Sequence, residues 1–113
     1  MKTHEYRAEH YTYRVMWSEE DDEFVGLCSE FAGLSHLAAK SGDALSGITK
    51  LVRHVLEDMQ AADETPPLPF SKRQFSGKFM LRVPPETHRR LSIEAAEQNV
   101  SLNRLVTAKL AAG

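Results

Sequence analysis

The stretch SGKFMLRVPPETHRRL, residues 76–91, decides how the C-terminal third of this chain must fold. Side chains within residues 78–83 alternate in character with the period of two that is expected of a β-strand. One face of this predicted strand is apolar and consists of Phe79, Leu81 and Val83. The other face carries two cations and consists of Lys78, Met80 and Arg82. A strand with two such different faces needs a dry environment on one side and a polar one on the other.

Two helices are predicted to follow this strand. Pro84 ends the strand because it has no N–H group, and Pro85 suits the first position of a helix that continues to about Gln98. A row on this helix is spaced for burial and consists of His88, Leu91 and Ala95. Asn99 can adopt the left-handed conformation that closes a helix, and Ser101 can cap the next one. The apolar stripe of that second helix consists of Leu102, Leu105, Val106 and Leu110.

The strand of residues 78–83 has no partner strand inside this part of the chain. Its backbone groups require hydrogen bonds, and about forty residues bury too little surface to fold alone. We therefore predict an isologous dimer in which each strand pairs antiparallel with its own copy, so that the two form an intermolecular ribbon. The shared dimer core would consist of Phe79, Leu81, Val83, Leu91, Leu102, Leu105 and Val106.

The outward face of this ribbon is predicted to enter the major groove of double-stranded DNA, which admits a two-stranded ribbon. Lys78 and Arg82 would donate to guanine, and Met80 would touch a thymine methyl group. Ser101 and Asn103, at the start of the last helix, are predicted to hold a phosphate.

The N-terminal part of the chain is predicted to form a β-β-β-α module. Residues 11–17 and 24–28 have the pattern of a strand hairpin, and residues 33–38 form a weaker third candidate. A helix should run from Asp43 to about Ala62, with Ser41 or Asp43 as its N-cap. Its apolar stripe consists of Leu45, Ile48, Leu51, Val52, Val55, Leu56 and Met59. The chain is thus predicted to be α+β.

Three prolines within residues 66–69 cannot continue this helix, so residues 63–74 are predicted to be a fairly stiff linker. The predicted domains are therefore residues 1–62, this linker, and residues 75–113.

Charge divides along the same boundary. Residues 1–71 contain six Lys and Arg against thirteen Asp and Glu, whereas residues 72–113 contain eight against three. The acidic part suits a basic partner, and the basic part suits phosphate. The single cysteine, Cys28, and the absence of any long apolar run predict a cytoplasmic protein that is not associated with a membrane.

The segment 77–110 resembles a ribbon-helix-helix DNA-binding module, and residues 11–110 as a whole resemble the HicB antitoxin family. The motifs that carry the resemblance are Ser76-Gly77-Lys78-Phe79, Leu81-Arg82-Val83-Pro84, His88 and Ser101-Leu102-Asn103. It implies that the first module resembles a truncated RNase H fold and covers a small, basic, mRNA-cleaving toxin of the HicA type. It also implies that the second module represses its own operon by binding operator DNA. The assembly expected is a homodimer, or a tetramer if the first modules also associate.

Two alternatives to this antitoxin hypothesis are kept. One is a stand-alone ribbon-helix-helix transcription regulator that has no toxin partner. The other is a nuclease that uses the carboxylates of residues 19–23, although five consecutive acidic side chains point in different directions and are more typical of a solvated turn. The five histidines show no metal-ligand spacing, and no catalytic motif is present. We therefore expect no enzyme activity, no metal and no cofactor.

Overall fold

The computed structural model describes residues 6–113 and divides the chain into two units, Met1–Phe75 and Ser76–Gly113. Strands and helices of the first unit are β1 Tyr13–Ser18, β2 Glu23–Cys28, β3 Ser35–Ala38 and α1 Ser41–Ala61. Short 3-10 turns at Ala8–His10 and Phe70–Lys72 flank them in sequence. The second unit contains α2 Pro85–Glu97 and α3 Leu102–Ala112. No helix within the described residues is both long and apolar enough to cross a membrane.

The three strands form an antiparallel sheet in the order β1-β2-β3, which confirms the predicted β-β-β-α start. The predicted first strand is shorter than expected, because β1 begins at Tyr13 and not at Tyr11. Tyr11 is instead buried in the core, and its hydroxyl donates a 2.7 Å hydrogen bond to the carbonyl oxygen of Pro67. Burial, with the nearby Glu30 charge, raises the pKa of Tyr11 to about 12, so this phenol remains a hydrogen-bond donor.

Helix α1 packs across one face of this sheet and contributes most of the core. Its buried residues are Ala44, Ile48, Val52 and Leu56. Cys28 at the end of β2 lies in the same core and is 2% exposed. Burial raises the pKa of the Cys28 thiol, as expected for an unreactive structural cysteine.

The start of α1 differs from the prediction. The helix begins at Ser41 and Lys40 occupies the N-cap position, but no side chain there accepts a capping hydrogen bond. Asp43 lies within the first turn, where its carboxylate interacts favourably with the positive end of the helix dipole. The predicted apolar stripe is also shifted, since Ala44 is fully buried and Leu45 is 46% exposed. The buried stripe therefore includes the small residue Ala44, which the pattern of large apolar side chains does not indicate.

Gly26 in β2 sets how closely α1 approaches the sheet. A methyl group built at this position would lie within 3.0 Å of the Ala44 carbonyl oxygen and the Ile48 side chain. Because the nearest obstacle is backbone, the neighbouring atoms cannot move aside without shifting the helix. Glycine at position 26 is therefore required by close packing.

Replacing Gly26 with alanine should lower the free energy of unfolding by about 1–3 kcal/mol, since overpacking displaces α1. Gly42→Ala is the matched control, because a methyl group at Gly42 in the first turn of α1 meets nothing within 4 Å. Alanine is also the better helix former, so this control should be neutral or slightly stabilising. Urea unfolding of both variants measures the difference, and equal stabilities would contradict the packing constraint.

The residues that follow α1 pack against earlier residues of the first unit. Pro66 and Pro69 are buried, and the hydroxyl of Ser71 donates a 2.7 Å hydrogen bond to the carbonyl oxygen of His10. The Glu30 carboxylate holds the same segment, because it accepts hydrogen bonds of 2.9 Å from the backbone N–H of Phe70 and 3.0 Å from that of Thr12. The segment predicted as a linker is thus held to the rest of the first unit by its buried prolines and by hydrogen bonds at its 3-10 turn.

The ionised form of Glu30 is favoured in the folded chain. Burial by itself would raise its pKa, but the hydrogen bonds from Phe70 and Thr12 together outweigh burial and hold the pKa below the usual value of 4.5. A carboxylate whose pKa is lower in the folded state stabilises the fold at pH values above its unfolded pKa. That contribution is lost as the pH falls through the folded pKa.

Glu30→Gln should therefore lower the free energy of unfolding at pH 7 by about 1–2 kcal/mol, because a charge-assisted acceptor is replaced by a neutral one. The difference between variant and wild type should shrink as the pH falls below about 4.5 and through the lower pKa of the folded carboxyl, where the wild-type side chain itself becomes protonated. Denaturant unfolding between pH 3 and pH 7 measures this. A difference that stays constant across that range would contradict the assigned role.

The second unit is a pair of helices joined by a tight turn. Asn99 has a φ of 59°, which confirms the predicted left-handed end of α2. Ala95 and Leu105 are buried, and an ion pair of 3.0 Å joins Lys109 of α3 to Glu94 of α2. No strand occurs in residues 76–113, all of which the structure describes.

Candidate nucleic-acid interface

Residues 78–83 present the largest group of exposed apolar side chains in the second unit. Phe79 is 78% exposed, Met80 81% and Leu81 56%, and Val83 is also exposed. Within residues 6–113, no backbone–backbone hydrogen bond involves residues 79–83. Burying a side chain of this size is worth about 1.5–3 kcal/mol, and unpaired backbone groups add to the cost of leaving the segment alone. The segment therefore has both the side chains and the free backbone groups that a partner strand would use.

The ends of this segment are defined by local structure. Gly77 has a φ of 83°, a left-handed conformation that glycine adopts without strain. The Ser76 hydroxyl accepts a 3.1 Å hydrogen bond from the backbone N–H of Lys78, so the chain direction is set just before the segment begins. At the other end, Pro84 precedes α2, and its carbonyl oxygen accepts a 3.1 Å hydrogen bond from the backbone N–H of His88. Ser76 and Gly77 thus position the start of the segment. In the sequence, only the motif resemblance singled out these two residues.

An open groove of about 780 Å³ lies between this segment and the two helices. Nine of the twelve predicted site residues line it: Lys78, Phe79, Leu81, Arg82, Val83, Leu91, Leu102, Asn103 and Val106. Of these, Leu91 and Leu102 on the two helices are half-buried already in the single chain. Six of the nine belong to the predicted dimer core, so the structure gathers most of that core around one mainly apolar groove. Lys78 and Arg82, which were predicted to face away from the core, line the same groove in the single chain.

Three predicted site residues do not line this groove: Met80, Ser101 and Leu105. Met80 is exposed, as a base-reading side chain would have to be before it meets DNA. Leu105 is only 6% exposed within a single chain, so its burial does not require a partner. Packing of α2 against α3 already supplies that burial.

Ser101 caps α3, as its position in the sequence predicted. Its hydroxyl accepts a 3.0 Å hydrogen bond from the backbone N–H of Arg104. Ser101 and Asn103 are both exposed at this helix N-terminus. The positive end of the helix is thus accessible there, and the serine hydroxyl is already used for capping.

Ser101→Ala should lower the free energy of unfolding by about 1 kcal/mol, because the capping acceptor is removed. Ser101→Asp is the matched control, since aspartate caps as well as serine and should preserve stability. Thermal or urea unfolding compares the two. Equal destabilisation by both variants would show that the Ser101 side chain contributes to stability by an interaction other than capping.

The remaining candidate chemistry of the sequence is not assembled into a site. Groups of three or more His, Cys, Asp and Glu that could hold a metal ion do not occur within residues 6–113. The acidic residues 19–23 occupy the turn between β1 and β2 and the start of β2. Within that turn, the Asp21 carboxylate accepts a 2.8 Å hydrogen bond from the Ser18 hydroxyl.

The second unit thus consists of the exposed segment 78–83, which carries apolar side chains and two cations, followed by the helices α2 and α3. The model of the HicB family matches residues 59–110, just under half of the chain, and this match supports HicB-family membership. It includes the exposed segment, α2 and most of α3. At the level of the family, this match suggests an antitoxin-like role and a toxin partner. No curated protein and no solved structure gives a significant match to the chain.

Proposed function

We propose that this chain is an antitoxin of the HicB family that neutralises a small mRNA-cleaving toxin and represses its own operon by binding operator DNA. The observation that carries the proposal is the overlap of the HicB family match with the exposed segment 78–83. An exposed apolar face beside two cations is unusual for a solvated segment of a monomer but suits a dimer that binds DNA. No catalytic role is proposed.

The dimer forms when segments 78–83 of two chains pair antiparallel. Pairing provides partners for the free backbone groups of residues 79–83, and the groove against α2 and α3 receives the apolar side chains. Phe79, Leu81 and Val83 then become the centre of a shared core. The module is ribbon-helix-helix in architecture, and its strand exists only in the dimer.

Leu81→Asp should abolish this dimer, because it places a charge in the shared core. Met80→Asp is the matched control, since Met80 belongs to the opposite face and its replacement should leave the dimer intact. Sedimentation equilibrium distinguishes the two species by mass. A dimeric Leu81→Asp protein would exclude the strand pairing proposed here.

The basic face of the ribbon reads DNA. Lys78 and Arg82 can donate hydrogen bonds to guanine O6 and N7, and Met80 can contact a thymine methyl group. Two copies of each side chain on a two-fold symmetric ribbon match a palindromic operator. The Ser101 and Asn103 end of α3 supports a phosphate contact, which sets the register and not the sequence preference.

Arg82→Ala should weaken binding to the DNA upstream of the chain's own reading frame by about 1–3 kcal/mol for each guanine that Arg82 reads, and should relax sequence preference. Lys50→Ala is the control, since Lys50 lies exposed on α1 and its replacement removes the same charge from the other unit. Fluorescence anisotropy at several salt concentrations measures both. Unchanged affinity of Arg82→Ala would leave residues 78–83 with dimerisation alone.

A stand-alone regulator without a toxin is the second candidate. The family match omits residues 1–58, so its sequence support lies mostly in the proposed DNA-binding part. The two functions are distinguished by the neighbouring gene. A small basic reading frame beside this one favours the antitoxin, and a pure DNA-binding activity without it favours the regulator.

A further inference from the structure

The outer face of the three-stranded sheet in the first unit is open and apolar. Gly26 and Cys28 point to the side on which α1 packs, so the alternate residues of β2 point to the other side. Strand pairing places Met16, Val25 and Leu37 in one row across this outer face, and Arg14, Leu27 and Ser35 in the next. We refer to these six residues as the outer sheet face.

An outer face of this composition is unusual. Antiparallel sheets with one face packed on a core normally present polar side chains on the other. Here a complete cross-strand row is apolar, with Met16 45% and Leu37 42% exposed. Val25 and Leu27 are only half-buried, by their neighbours in the sheet.

Charge around this face is strongly uneven. The hairpin of residues 19–23 adds five consecutive carboxylates at one end, where Ser18 pairs with Glu23. Arg14 lies at the opposite end of β1, opposite Leu27. The whole unit Met1–Phe75 contains eight Lys and Arg against thirteen Asp and Glu, a net charge of −5. A basic partner is therefore attracted to the hairpin end, whereas a second copy of the same unit is repelled by it.

We propose that the outer sheet face, together with the acidic hairpin, is the docking surface for a small basic protein. This inference rests on the proposed antitoxin function, under which the basic protein is the toxin. The apolar row provides the desolvated centre of the interface, and the carboxylates form a charged rim at one end.

The size of the face explains why the hairpin belongs to the surface. Three strands spaced by about 4.8 Å and about five residues long cover roughly 250 Å² in projection. A stable protein interface buries about 800 Å² on each partner. The sheet face is thus too small alone, and the adjacent hairpin is the neighbouring surface whose charge fits a basic partner.

The test uses the full chain and the small basic protein encoded beside its gene, each purified separately. The double variant Met16→Lys, Leu37→Lys should weaken binding by about 30-fold or more, because cations replace the apolar centre. Leu45→Lys is the matched control, since Leu45 has nearly the same exposure (46%) but lies on α1. This control should bind as the wild type does.

The rim is tested separately with the double variant Glu19→Gln, Glu20→Gln. This variant leaves in place the hydrogen bond that the Ser18 hydroxyl donates to the Asp21 carboxylate. This variant should slow association several-fold and flatten its dependence on salt, while dissociation changes little. Surface plasmon resonance at three salt concentrations measures both rates. An unchanged association rate would remove the hairpin from the surface.

A measurement on the wild-type chain protects the test against misfolded variants. In methyl NMR, titration with the basic protein should shift the Met16 and Leu37 signals and leave that of Leu45 in place. Wild-type binding without these shifts, or equal binding by the double variant, overturns the docking face while the antitoxin function stands.

Two other outcomes also test the proposed docking surface. Failure of the wild-type chain to bind the basic protein removes the toxin arm of the proposed function, and this docking surface with it. If the isolated wild-type chain forms a larger assembly that the double variant reduces to the dimer, the occupant is a second copy, and the proposal is wrong.

Discussion

The first unit depends on one close approach, that of α1 to β2 at Gly26. The space above this glycine is already filled by the Ala44 carbonyl and the Ile48 side chain, so no larger residue fits without moving the helix. With the helix this near, Ala44, Ile48 and Val52 become fully buried against a sheet of only three strands. A core this small tolerates little change in spacing, because each buried side chain contributes a large share of the total burial.

Covering one face of the sheet in this way leaves the other face without a helix. The same chain also leaves residues 79–83 exposed and without backbone–backbone hydrogen bonds. Each unit therefore has an apolar surface that a single chain does not bury, and the two surfaces differ in charge. The sheet face borders an acidic hairpin, whereas residues 78–83 carry Lys78 and Arg82.

Much of the local structure could be predicted from short-range patterns. Alternation predicted the β1–β2 hairpin, and the caps at Asn99 and Ser101 predicted the boundary between α2 and α3. These features depend on interactions within a few residues, which the sequence shows directly. The N-cap of α1 was predicted wrongly: Ser41 and Asp43 are good capping residues, but Lys40 occupies the N-cap position and no side chain there accepts a capping hydrogen bond.

The sequence by itself determined the three strands and the helix of the first unit, the two helices of the second, the separation of charge and the alternation of side chains in residues 78–83. It also predicted a strand over residues 78–83, which the single chain does not form, and a linker over residues 63–74, which belongs to the first unit. Tertiary structure alone decided which face of the sheet α1 covers, and therefore that Met16 and Leu37 are exposed. It also decided that the proline-rich segment is held down by Glu30, a residue forty positions before Phe70. Periodicity and capping act over a few residues, but burial and long-range hydrogen bonds depend on which distant segments the fold brings together.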